Sequence, residues 1–107
     1  MRKRRSDRNH LIYRIENSNT GDFYIGVTVV MGKAYKKSLV ARWKRHIYKA
    51  VQLGMEWTFS TAICEHGESA FRLEILEVVR GKADAFQRES ELINSLRPVY
   101  NTRMKAC

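Results

Sequence analysis

The chain reads as an α+β domain: a small three-stranded, mainly antiparallel sheet flanked by helices, in the order β-β-α-α-β-α. Three observations carry that reading. Residues 10–16 and 23–30 alternate apolar with other side chains at the period of two that a strand imposes, around a segment dense in turn formers. Apolar residues recur at helical spacing after Ser38 and again after Asp84. Between those helices, Phe71 to Val79 (FRLEILEVV) is rich in strand formers. Strands and helices mixed in this way form a sheet with helices packed against it.

In the first strand Leu11, Tyr13 and Ile15 share one side. Asn17 to Gly21 (NSNTG) supplies the turn. Phe23, Ile25, Val27 and Val29 then alternate with Tyr24, Gly26, Thr28 and Val30, completing a β-hairpin. Gly26 inside that strand marks a bulge or a close approach by another group. A basic loop follows, with Lys33, Lys36 and Lys37. The first helix is expected to start with Ser38 as N-cap and to run towards Leu53-Gly54. Val40, Trp43, Ile47 and Val51 form its expected apolar stripe, with Arg42, His46 and Lys49 on the opposite side. A short helix is expected from Phe59 to His66, stopped by Gly67. The third strand is Phe71 to Val79, broken by Gly81-Lys82. Asp84 is expected to cap the last helix, with Gln87 completing a capping box, and Pro98 ends it.

At 107 residues the chain holds one domain, read here as residues 9–107, with a basic arm at 1–8. Twenty Lys and Arg against 11 Asp and Glu give a net charge of +9. Such a charge points to a polyanionic partner, nucleic acid ahead of an acidic membrane surface. Arg2, Lys3, Arg4, Arg5 and Arg8 make the arm a grip for phosphates or a solvated tail. Cys64 and Cys107 do not make a disulfide framework, which points to a reducing, cytoplasmic setting. No Cys or His cluster has zinc-site spacing. No apolar run reaches transmembrane length, and no signal-peptide core opens the chain.

The last helix carries the anomaly that bears on function. Ala85, Phe86, Leu92, Ile93 and Leu96 fall on one face, and Glu89 falls in the middle of it. A carboxylate buried there alone would be costly. Glu89 therefore binds a cation, pairs with a base or lines a polar cleft. Singly, Tyr13 and Tyr24 read as strand aromatics, and Arg42, His46 and Lys49 as a basic face. Together, these residue types suit phosphodiester hydrolysis. That reaction uses a cation near the phosphate, a base for water, and positive charge on the transition state. A lone carboxylate suits magnesium, which keeps most of its waters. An arginine fork matches phosphate oxygens, and a histidine moves protons near neutral pH.

Leu11-Ile12-Tyr13 and Tyr24-Ile25-Gly26 resemble the paired signature of the GIY-YIG nuclease family, with Leu11 in place of the first glycine. The resemblance continues through Arg42 to His46 (RWKRH), Phe59 to Ile63 (FSTAI), Gly67, and Phe71 to Leu76. It ends with Glu89 to Ile93 (ESELI) and Pro98 to Asn101 (PVYN). It spans His10 to Asn101, and ordered motifs in series are far more specific than one tripeptide. The middle section looks most like phage and intron-encoded homing endonucleases of this family.

The resemblance implies a Mg2+- or Mn2+-dependent DNA endonuclease with Glu89 as the metal ligand. It implies Tyr13 as activator of the water, as a transient phenolate helped by His46. Tyr24 would orient water or phosphate, and some members reverse these two roles. It implies that Arg42 steadies the phosphate, that Asn101 organises the site, and that Gly26 lets backbone approach the cleft. Val27 stands where repair-type members place a lysine, and Lys33 or Lys49 are candidates to replace it. Arg2, Lys3, Arg4, Arg5, Lys33, Lys36, Lys37, Arg45 and Lys49 are the expected DNA contacts. Homing members usually carry a second DNA-binding domain. The chain is thus read as a stand-alone nuclease, a catalytic fragment, or one targeted by a partner protein. A monomer or weak dimer with no membrane partner is expected. Two rivals stand beside this reading: an inactive nucleic-acid-binding module of the same fold, and a structural protein in which Glu89 pairs with Arg42 or Arg72.

Overall fold

A computed structural model describes residues 8–53 and 58–101. Among them, strands β1 (Asn9–Asn17), β2 (Phe23–Val29) and β3 (Phe71–Arg80) form one antiparallel sheet in the order β2-β1-β3. Helices α1 (Tyr35–Val51), α2 (Thr58–His66) and α3 (Lys82–Leu96) follow in the expected places, with 3-10 turns at Glu68–Ala70 and Val99–Asn101. The α+β class and the order β-β-α-α-β-α are as the sequence predicts.

The hairpin turn is closed by backbone bonds from Asn17 N–H to the Asp22 carbonyl at 2.8 Å and from Gly21 N–H to the Asn17 carbonyl at 2.7 Å. The Asn17 side chain is fully buried. Its Oδ1 accepts the Asn19 N–H at 2.9 Å and its Nδ2 donates to the Tyr100 hydroxyl at 3.1 Å. A buried amide with both ends bonded ties the turn to the segment leaving α3.

β1 lies at the centre of the sheet, and Leu11, Ile12, Tyr13 and Ile15 are fully buried. Each fully buried Leu or Ile contributes roughly 1.5–3 kcal/mol. A one-residue slip would turn every one of these side chains to the other face, so the register is strongly specified. Leu11, Tyr13 and Ile15 pack with Leu39, Trp43, Phe59, Ile63, Phe71 and Tyr100 in one cluster. Helix α3 packs against all three strands. Ile12 opposes Glu77 while Tyr13 opposes Ile75, so Leu76 is the extra residue of a β-bulge.

The structure corrects both helix starts. Helix α1 begins at Tyr35 after Ala34, without a side-chain cap. Ser38 lies inside it, buried, donating to the Ala34 carbonyl at 2.7 Å and accepting the Met31 N–H at 3.2 Å. Its hydroxyl therefore ties the incoming loop to the first turn of α1. Helix α3 begins at Lys82 after Gly81, whose N–H bonds the Arg8 carbonyl at 3.1 Å. Asp84 sits in the first turn, not at the N-cap, and no side chain caps the helix. A carboxylate there still meets the positive end of the helix dipole. Gly67 stops α2 as expected: it takes φ 82°, and its N–H bonds the Ile63 carbonyl at 2.9 Å.

The face of α1 is also rotated from the expected one. Leu39, Trp43, His46 and Ala50 are buried, whereas Val51 is 58% exposed and Val40 and Ile47 are half-buried. His46, expected opposite the apolar stripe, belongs to the buried face. Hydrogen bonding and ring contacts compensate its burial, as described next.

Candidate active site

The register of the hairpin aims both tyrosines at α1. Tyr13 opposes Gly26 and Ile15 opposes Tyr24, so Tyr13, Tyr24 and Gly26 lie on one face of the sheet. Gly26 is the space into which that face closes. A Cβ built there would run into the Tyr13 hydroxyl, 2.5 Å from Tyr13 Cζ and 2.7 Å from Tyr24 Cε2. The expected close approach at Gly26 is therefore made by Tyr13 and Tyr24 themselves.

Opposite them, α1 presents Arg42 and His46 one turn apart. The Tyr13 hydroxyl is 2.9 Å from His46 Nε2, and Arg42 Nε donates to the same hydroxyl at 3.3 Å. Burial, then the positive charges of Arg42, Lys49 and Arg45, hold the His46 pKa down to about 3. His46 is thus a neutral imidazole near neutral pH. Arg42 is a donor only, so the Tyr13 oxygen accepts from it, and the same hydroxyl shares a hydrogen bond with His46 Nε2. Arg42, Tyr13 and His46 thus form one hydrogen-bonded chain. Burial raises the Tyr13 phenol far above its usual range, with the neighbouring Tyr24 adding to it and Arg42 opposing. Burial likewise raises Tyr24, against the pull of Arg42.

Helix α2 supplies the floor. Phe59 is buried and stacks on Tyr24 at 4.6 Å between centroids, with 6° between the planes. It also meets the edge of His46 at 5.2 Å and lies 5.5 Å from Tyr100. Each such aromatic pair adds roughly 0.5–1.5 kcal/mol beyond area burial and fixes ring orientation. Sequence reasoning gave Phe59 no part in the site. The available signal was a lone aromatic beginning a short apolar helix.

Glu89 on α3 is half-buried, and Phe86 and Leu96 beside it on the wheel are exposed. It is not sealed in a core. Burial raises its pKa while Arg42 pulls it down, and Glu89 in turn raises both tyrosines. The carboxylate is therefore within electrostatic reach of Arg42, Tyr13 and Tyr24. Among the described residues no ion pair joins it to Arg42 or Arg72, which removes the structural-pair rival. Nor does any group of three or more His, Cys, Asp or Glu that could hold a metal occur among them. A single half-buried carboxylate of raised pKa, with no ion pair to the described residues, fits an ion such as magnesium that needs few protein ligands. The neighbouring Arg88 forks onto Glu77 of β3, with Nε and Nη2 donating to Glu77 at 2.8–2.9 Å, and so pins α3 to the sheet beside Glu89.

Asn101 does not enter the cleft. Its Oδ1 accepts the Ile25 N–H at 2.8 Å and its Nδ2 donates to the Ile25 carbonyl at 2.7 Å. It thereby completes the outer edge of β2 between Tyr24 and Gly26. Lys33, Lys36, Lys37 and Arg45 are exposed and Lys49 is half-exposed. Arg2, Lys3, Arg4 and Arg5 lie outside the described residues. Arg8 is not free-standing: its carbonyl also takes a hydrogen bond from His10 Nδ1 at 2.8 Å.

A phenol–imidazole–guanidinium chain beside a carboxylate with no ion pair among the described residues, on a three-stranded sheet, is the arrangement of a small nuclease-type domain. The family model of the GIY-YIG catalytic domain matches residues 9–103, and the chain belongs to that family. Among solved structures, a variant of the catalytic domain of intron endonuclease I-TevI is similar with a TM-score of 0.67. The two share 25% identity over 92% of this chain and 94% of that one. The catalytic domain of homing endonuclease I-TevI aligns with a TM-score of 0.57 and 23% identity, over 92% and 99% of the two chains. No curated protein matches the chain. Among the described residues no helix is long and apolar enough to cross a membrane.

Proposed function

We propose that the chain is a divalent-metal-dependent DNA endonuclease that hydrolyses phosphodiester bonds in one step, of the homing type or acting as a stand-alone phage nuclease. The observation that carries this is the Arg42–Tyr13–His46 chain within electrostatic reach of the Glu89 carboxylate, which makes no ion pair among the described residues. Neutral His46 accepts the Tyr13 proton while the Tyr13 oxygen takes one from the attacking water. No free phenolate forms, which the high pKa of the buried phenol would forbid. Arg42 commits only Nε to Tyr13, so its Nη groups serve the phosphate oxygens. Half-buried Tyr24, its ring 6.1 Å from that of Tyr13, orients the water or the phosphate. Mg2+ or Mn2+ held by Glu89 would supply positive charge to the phosphate oxygens. Asn101 acts as a positioning residue through β2. The basic arm with Lys33, Lys36, Lys37, Arg45 and Lys49 supplies phosphate contacts that weaken with salt, and a separate domain or protein supplies targeting.

The test is supercoiled plasmid incubated with the protein and magnesium, with chelator, and with Glu89→Ala. Nicking or linearisation is expected with magnesium alone, lost with chelator and in the variant. DNA that shifts in a gel yet stays intact with magnesium would make the chain a binding module. Cutting by Glu89→Ala at the wild-type rate would overturn the metal assignment.

A further inference from the structure

A groove of about 400 Å³ runs along the outer side of α1 and is lined by Lys44, Arg45, Tyr48, Lys49 and Leu53. Residues 44, 45, 48 and 49 share one side of the helix by their spacing. Three of the five lining side chains are cationic and none is acidic. Tyr48 is 56% exposed, whereas Tyr13, Trp43, Phe59, Phe71 and Tyr100 are buried in the core. An aromatic left on the surface between cations is built like a single-strand platform. Bases stack on the ring and cations track the backbone.

We propose that this groove holds an unpaired nucleotide of the DNA substrate, with its base on the Tyr48 ring and its flanking phosphates on Lys44, Arg45 and Lys49. The inference rests on the endonuclease reading and extends it to the form of the substrate. Arg42 and Tyr48 are six residues apart, about 9 Å along the axis at ~1.5 Å per residue, and lie roughly 120° apart around the helix. At ~3.4 Å per nucleotide along one strand, the nucleotide held is therefore at least about three nucleotides from the phosphate at Arg42. The domain therefore favours DNA that is gapped or frayed near the cut over a fully paired duplex.

The experiment measures fluorescence anisotropy in chelator, which prevents cutting. The probes are a labelled short duplex and the same duplex with an internal single-stranded gap. Wild type is expected to bind the gapped probe about tenfold tighter. Tyr48→Ala should bind both probes alike, at the affinity of wild type for the paired one. Tyr48→Phe keeps the ring and should keep the preference. No preference in wild type, a preference surviving in Tyr48→Ala, or equal weakening of both probes by that variant overturns the proposal. Circular dichroism checks that the variants fold. Plasmid nicking by wild type, run alongside, separates the two readings. Nicking without gap preference removes the groove and leaves the endonuclease, whereas preference without nicking does the reverse.

Discussion

Protonation of His46 gives the sharpest test of the buried chain. Its pKa is about 3 in the fold, against 6.5 for an unperturbed histidine. The unfolded chain therefore binds a proton that the native one refuses, throughout the window between those values. Stability must rise with pH there, so His46 contributes fully above 6.5 and its contribution is lost as pH falls towards 3. The slope approaches ~1.4 kcal/mol per pH unit, and the loss between about pH 7 and pH 4 comes to about 3 kcal/mol. Carboxylates titrate in the same range, so the comparison is with His46→Gln, whose side-chain oxygen can still accept the Tyr13 proton. Urea unfolding is measured for both proteins across that range. Wild type should lose about 3 kcal/mol more than the variant on acidification. Parallel curves would mean that His46 is hydrated or charged in the fold, which would refute a buried, neutral imidazole beside Tyr13.

Gly26→Ala places a methyl group against the Tyr13 ring and Tyr24 Cε2, contacts a packed sheet cannot relieve. Urea unfolding should show a loss of about 1–3 kcal/mol, and plasmid nicking should fall by up to about a hundredfold as Tyr13 leaves His46. Wild-type nicking by this variant would refute the close approach. Asn101→Ala leaves the Ile25 N–H and C=O at the edge of β2 without their side-chain partner. It should cost about 1 kcal/mol and speed hydrogen exchange at the Ile25 amide, and unchanged exchange there would show that Asn101 does not brace the strand.

Much of this molecule was legible in the chain. Alternation around the NSNTG turn set the hairpin, whereas the pairing that puts Tyr13 and Tyr24 on one face came with the folded register. Glu89 was visible because a carboxylate broke an apolar helical stripe; the break left a cation, a base or a polar cleft open, and among the described residues the half-buried carboxylate makes no ion pair. His46 was misplaced for an instructive reason. Pattern reading assigns polar residues outward, and only a partner distant in sequence reverses that. The partner is Tyr13, 33 residues earlier. The two helix starts failed alike: Ser38 and Asp84 are good capping types. The chain already turns helical upstream of each, where Ala34 and Gly81 lead in without a cap.

The sequence by itself determined the α+β order, the basic surface and the residue types of the site, because these follow from local periodicity and composition. Only the tertiary structure brought Tyr13, Arg42 and His46 into one hydrogen-bonded chain. That chain depends on burial, which makes His46 neutral, and on Phe59 packing against the rings. Burial is a property of the packed whole. The same tyrosine and histidine in an exposed hairpin and helix would keep their ordinary pKa values and would not form this chain.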